Sequence, residues 1–121
     1  MIIFTTERCD GVCVARLEGR FEVSDEPRLL AEHLLTVAAS LPLVLDLSDL
    51  DEVDTPEVVA MLGALGATPR HATSAIVHSD VDARRKLRAL EHPIPVAPTM
   101  GHVLQGPFAT ALEAARARSD A

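Results

Sequence analysis

The chain reads as one α/β domain: a mixed, largely parallel sheet with helices and an N-terminal hairpin. Three observations predict it. Asp10-Gly11 sits between two short β-branched runs, the strongest short-range hairpin signal. Beyond it, strand-like apolar runs alternate with segments of helical period, the order that builds parallel βαβ units. Prolines and short polar residues stand where those helices should begin.

Ile2 to Arg8 and Val12 to Leu17 form the hairpin strands. With a two-residue loop Cys9 faces Val12 and Arg8 faces Cys13, so the thiols lie on opposite faces. A three-residue bulged loop would instead set Cys9 opposite Cys13 as a redox pair. Gly19-Arg20-Phe21-Glu22 closes the second strand. Ser24 or Asp25 is the expected N-cap of a first helix with Pro27 in its opening turn. Leu30, Leu34, Val37 and Leu41 set its apolar face, and Pro42 stops it. Leu43 to Leu47 is expected as a central strand buried on both faces. An acidic loop, Ser48 to Val53, follows. Thr55 then caps and Pro56 opens a second helix reaching about Gly66, with Glu57 at the positive end of its dipole. Thr73 to His78 is a further strand. Ser79 or Asp80 caps a third helix through Glu91, with Ala83, Leu87 and Leu90 inward, and Pro93 stops it. Ile94 to Ala97 belongs at a sheet edge, because Pro95 and Pro98 donate no ladder hydrogen bond. A turn of helix over Thr99 to Gln105 and an extra C-terminal helix, about 107–118, complete a single domain spanning 1–121.

Composition narrows the function. The 121 residues fit one core, and 48% of them are apolar. Phe4, Phe21 and Phe108 are the only aromatic residues, so there is no stacking platform for single-stranded nucleic acid. A net charge of -7 is repelled by nucleic-acid phosphates and anionic membranes. No apolar run approaches the roughly 18 residues that span a bilayer. The start turns polar at Glu7-Arg8 and does not read as a signal peptide. A cytoplasmic location is expected, with no nucleic-acid partner and no membrane insertion.

Catalytic signatures are absent from the pattern. Asp46, Asp49, Asp51, Glu52 and Asp54 crowd the carboxyl end of the central strand, where open α/β sheets place ligands. A phosphatase of the haloacid-dehalogenase type needs Asp-x-Asp directly after the strand, and here the strand ends Asp46-Leu47-Ser48. Magnesium binding by this loop is weighed against a solvated acidic loop, and the solvated loop is preferred. The histidines His33, His71, His78, His92 and His102 form no metal-ligand spacing, and His33 belongs beside the apolar stripe of the first helix. No glycine-rich loop or nucleophile elbow is present. No enzymatic activity, cofactor or metal is expected. Arg84-Arg85-Lys86 with Arg88 is a basic turn, read as a solvated face or as a dock for an acidic partner.

The second helix is the most informative element. After Glu57 it carries no charge, from Val58 to Gly66. Val59, Leu62 and Leu65 are expected on the sheet, leaving Val58, Met61, Ala60 and Ala64 partly outward. An uncharged, shallow helix surface beside an acidic loop is a protein-contact surface unless the C-terminal helix covers it.

These residues together resemble a STAS domain, the sulphate-transporter and anti-sigma-factor-antagonist family, from Val12 to Pro98. Val14 to Glu22 is similar to the family strand ending Gly-Arg-Leu-Asp, with Glu22 at the Asp position. Leu43 to Ser48 is similar to its central Val-Leu-Asp-Leu-Ser. Val53-Asp54-Thr55-Pro56-Glu57 stands where the family has an apolar residue followed by Asp-Ser-Ser/Thr-Gly. The resemblance implies a STAS-like fold and a non-enzymatic regulatory protein-binding domain in bacterial transcription control. It makes Thr55 the candidate phosphoacceptor and an anti-sigma factor kinase, or a similar protein, the partner. Glu22, Asp54, Glu57, Val58 and Met61 are the candidate partner contacts. Pro56 and Glu57 depart from the pattern: the first removes an amide donor and the second adds bulk and charge. Met100 to Gly106 reads as an insertion. The alternative is an unphosphorylated STAS-fold partner subunit of a transporter ATPase or scaffold complex. A homodimer stays open.

Overall fold

The computed structural model describes residues 1–9, 11–22, 24–39, 41–67, 73–92 and 94–103. Strands β1 (Ile2–Cys9) and β2 (Val12–Gly19) pair antiparallel without a break, Arg8 opposite Cys13 and Cys9 opposite Val12. Gly11 takes φ 79°, a left-handed conformation that a primed turn requires. The two-residue hairpin is therefore the one formed, and the thiols lie on opposite faces. Burial raises the Cys13 thiol pKa, with the Arg8 charge pulling the other way.

Strands β3 (Leu43–Leu50), β4 (Thr73–Val77) and β5 (Val96–Ala97) extend the sheet in the order β1-β2-β3-β4-β5. Every pair after the hairpin is parallel. The helices between them are α1 (Pro27–Ala38), α2 (Pro56–Gly66) and α3 (Val81–Ala89), and the short α4 (Met100–Val103) follows β5. The α/β class and the mixed sheet follow the sequence expectation. No helix among the described residues is long and apolar enough to cross a membrane.

β3 is the middle strand, and Leu43, Val44, Leu45 and Leu47 are all fully buried. Its alternating side chains feed two clusters. Leu43, Leu45 and Leu47 join Cys13, Ala15, Leu17 and Ile76 beneath α1 and α2, with Leu87 of α3 in the same cluster. Val44 joins Val12, Val14, Ala75, Val77 and Ala97 on the opposite face, where Val103 of α4 packs. Burial on both faces is what a central parallel strand needs.

Several details differ from expectation. The N-cap of α1 is Glu26, with no side-chain cap, rather than Ser24 or Asp25. Asp25 closes the preceding turn instead, its Oδ2 accepting from the Glu22 amide at 2.8 Å. The inward face of α1 is Ala31, Leu34 and Ala38, with Val37 half-buried. β3 extends past Leu47 to Leu50 because Glu18 and Gly19 continue pairing with Asp49 and Leu50 beyond a register shift. β5 is trimmed to the two residues flanked by Pro95 and Pro98. The expected C-terminal helix at 107–118 lies outside the described residues.

Gly19 ends β2 with φ 93°, and a Cβ there would stand 2.5 Å from the Met1 carbonyl oxygen. Both facts demand glycine. Gly19→Ala should lower stability by about 1 to 3 kcal/mol, read as a lower midpoint in urea unfolding with an unchanged slope.

Candidate functional site

Parallel strands point their carboxyl ends the same way, so the loops after β3 and β4 meet at one end of the sheet. A cleft of about 500 Å³ opens there between the β3–α2 loop and the first turn of α3. Asp51, Glu52 and Asp54 line it from one side and Asp80 and Asp82 from the other; Lys86 is the one cation among its lining residues. The described residues hold no group of three or more His, Cys, Asp or Glu side chains placed to bind a metal ion.

His78 forms part of the cleft wall and is buried. Sequence reasoning did not single it out for function; its place directly after a strand and before the Asp80 cap was the available signal. Its Nδ1 accepts from the Asp80 amide at 3.0 Å, and Asp80 Oδ2 accepts from the Ala83 amide at 2.9 Å to cap α3. Desolvation lowers the His78 pKa, against the opposing pull of the Asp80, Asp46 and Asp49 carboxylates.

Asp46 does not belong to this cleft. It projects from the sheet face opposite α1 and α2, where its Oδ2 meets Arg16 Nε at 3.2 Å and its Oδ1 accepts from the Ser48 amide at 3.0 Å. The acidic run is thus split by the pleat, since alternate strand residues face opposite ways. The basic turn of α3 is dispersed as well. Arg84 Nη1 donates to the His78 carbonyl at 2.9 Å, Arg88 Nη2 to the Val96 carbonyl at 3.2 Å, and Arg85 pairs with Asp82 at 3.0 Å. Two of these arginines tie α3 to strand ends, so the cluster is not one docking patch.

Thr55 sits on the rim of this region as the N-cap of α2. Its Oγ1 accepts from the Val58 amide at 3.2 Å, Pro56 occupies the first turn, and the side chain is half-buried. Asp54 is exposed beside it and Glu57 is half-buried. Glu22 is held elsewhere: its carboxylate meets the Met1 amine at 2.7 Å, at the turn into α1.

Two expected contacts are corrected. Val58 and Met61 are fully buried, forming the inner stripe of α2 with Leu62 and Leu65. They pack into the core beneath the helix, and α1 lies alongside. The outward strip is instead Val59 and Ala60, both half-buried, with exposed Gly63. A Cβ added at Gly63 would meet nothing within 4 Å among the described residues, so against these the ridge is open. The C-terminal segment that would cover it, about 107–118, lies outside the described residues.

Compared with models of known families and with curated proteins, the chain matches none.

Two outcomes follow. Thr55→Ala should cost about 1 kcal/mol through the lost cap, and Thr55→Ser should restore it in the same unfolding assay. For His78 the folded-state pKa lies below the unfolded one, so the unfolded chain binds the proton first as pH falls. Its contribution to stability is complete above pH 6.5, the ordinary histidine value, and declines below it. His78→Asn keeps an acceptor for the Asp80 amide and should flatten the slope of stability against pH just below that value.

Proposed function

We propose that the chain is a STAS-like regulatory protein-binding domain, similar to anti-sigma factor antagonists, with no catalytic role of its own. It docks through the start and outer ridge of α2, and Thr55 is the residue that switches docking. One observation carries this reading: a half-exposed threonine caps a helix whose open outer strip is small and uncharged. A flat strip of this kind lets a partner backbone approach closely, and burying it leaves no charge desolvated.

Transfer of a phosphoryl group from ATP to Thr55 Oγ1 would release ADP and a proton. It would place between one and two extra negative charges, roughly, at the rim. The Glu57 and Val58 amides and the helix dipole favour an anion there. Pro56 supplies no amide, and Asp54 and Glu57 repel the group. The modified rim then opposes any partner surface shaped for a neutral hydroxyl. On this reading Asp54 and Glu57 border the contact, Val59, Ala60 and Gly63 form it, and the protein works in bacterial transcription control.

The same carboxylates favour a second reading, since they disfavour adding a phosphate at all. The domain would then be an unphosphorylated subunit of a transporter ATPase or scaffold complex.

Incubation with the cognate anti-sigma kinase and ATP, followed by intact mass, should show one added phosphate that Thr55→Val abolishes. Gly63→Arg should break the complex in a pull-down while unfolding stays cooperative. A stable complex without phosphate uptake selects the second reading. Indifference of binding to Gly63→Arg rejects α2 as the contact.

A further inference from the structure

The two edges of the sheet are built differently. β5 is two residues long and flanked by prolines, which blunts that edge. β1 is eight residues long, contains neither proline nor glycine, and keeps one unbroken register with β2. Along Ile2 to Arg8, its outer side meets no other strand among the described residues. Such a strand is a template for another.

The exposed large apolar side chains among the described residues are Met1, Ile3, Leu29 and Val81. The first two stand on or beside β1, Ile3 on the sheet face away from α1. Leu29 belongs to the same edge from above. It precedes by one helical turn His33, whose ring meets the Phe4 ring edge-on at a centroid distance of 5.2 Å. Residues four apart share one flank of a helix, and α1 runs parallel to β1, so Leu29 overhangs the start of the strand. Both sides of the open strand therefore carry exposed apolar surface. Charge selects this place too. Each copy carries a net charge of -7, yet Ile2 to Thr6 has no charge, and Glu7 and Arg8 cancel.

We propose that β1 is a self-association edge, pairing antiparallel with β1 of a second copy about a two-fold axis normal to the sheet. The two five-stranded sheets become one. That axis keeps each face on its own side, so odd-numbered residues meet odd-numbered ones. A centre on Glu7 or Arg8 sets like charges against each other, which is unfavourable. A centre on Phe4 overlaps the uncharged segments, sets Ile3 opposite Thr5 and Ile2 opposite Thr6 of the second copy, and so brings each Leu29 beside Thr6 of the other copy.

Light scattering on the full chain should give a dimer, tighter at higher salt because the rest of the two surfaces repel. Ile3→Lys and Leu29→Lys alter side chains that are already exposed, and each should weaken the dimer at least tenfold, with circular dichroism showing the fold intact. Val81→Lys, on α3, should leave it unchanged. Independently, Ile3→Cys with Thr5→Cys in a Cys9→Ser background should give a reducible covalent dimer on oxidation. A chain that is monomeric at its highest soluble concentration overturns the proposal, even if an added extended peptide binds β1. So does a dimer indifferent to both lysine variants, one lost in Val81→Lys, or one that fails to cross-link.

Discussion

The structure depends on one constraint: β3 must be sealed from water on both faces while pairing with a parallel neighbour on each side. A strand so placed has no solvated face on which to keep charge, so Leu43 to Leu45 is apolar without alternation. Its partners inherit the demand. β2 and β4 turn apolar residues both ways, to α1 and α2 on one side and to the Val12, Val44 and Val77 cluster on the other. The helices are held by leucine and alanine packing, with Leu34 and Leu62 fully buried. Many side-chain bonds to the backbone fall at strand ends and caps, where backbone groups would otherwise lack partners, while Arg16 and Asp46 pair across β2 and β3 on the face away from α1.

That arrangement fixes where charge collects. Carboxylates are excluded from the sealed start of β3, Leu43 to Leu45, and those beyond its carboxyl end, Asp51, Glu52 and Asp54, meet Asp80 and Asp82 at the start of α3 across the cleft. Arg84 and Arg88 are drawn off to backbone carbonyls, leaving Lys86 to face the acidic rim. A helix start beside such a rim balances two opposing forces. Its amides and dipole attract an anion, while the neighbouring carboxylates oppose it. A phosphate on Thr55 would stand between these, and the proposed switch would turn on that opposition.

The hairpin serves a different end of the molecule. Gly19, at positive φ, lets the Met1 carbonyl lie against the end of β2, while the Met1 amine reaches Glu22 and Asp25. These contacts tie the start of β1 to the end of β2 and to the turn that follows it. The opposite edge is blunted by Pro95 and Pro98, so the self-association proposed for β1 has one side of the sheet to use.

Much of this was legible in the residues alone. Asp10-Gly11 marked the hairpin and left two registers, Thr55-Pro56 marked the start of α2, Ser79-Asp80 the start of α3, and Pro95 with Pro98 the edge position of β5; the structure then chose the two-residue loop and Asp80 as the cap. Each is a local signal in which backbone chemistry leaves one or two solutions. The α1 cap was not legible, because Ser24, Asp25 and Glu26 all offer an oxygen and the competing bond to the Glu22 amide is decided by the turn. The facing of α2 was misread for a deeper reason. A helix announces its orientation through the charges it keeps in water, and α2 has none after Glu57, so contacts with the sheet and α1 chose Val58 and Met61 for the interior. The cleft was equally hidden: His78, Asp80 and Asp82 reach Asp51 and Asp54 only because two parallel strands end side by side. Local chemistry set the elements and their order, whereas the facing of an uncharged helix and the meeting of distant loops were settled by packing.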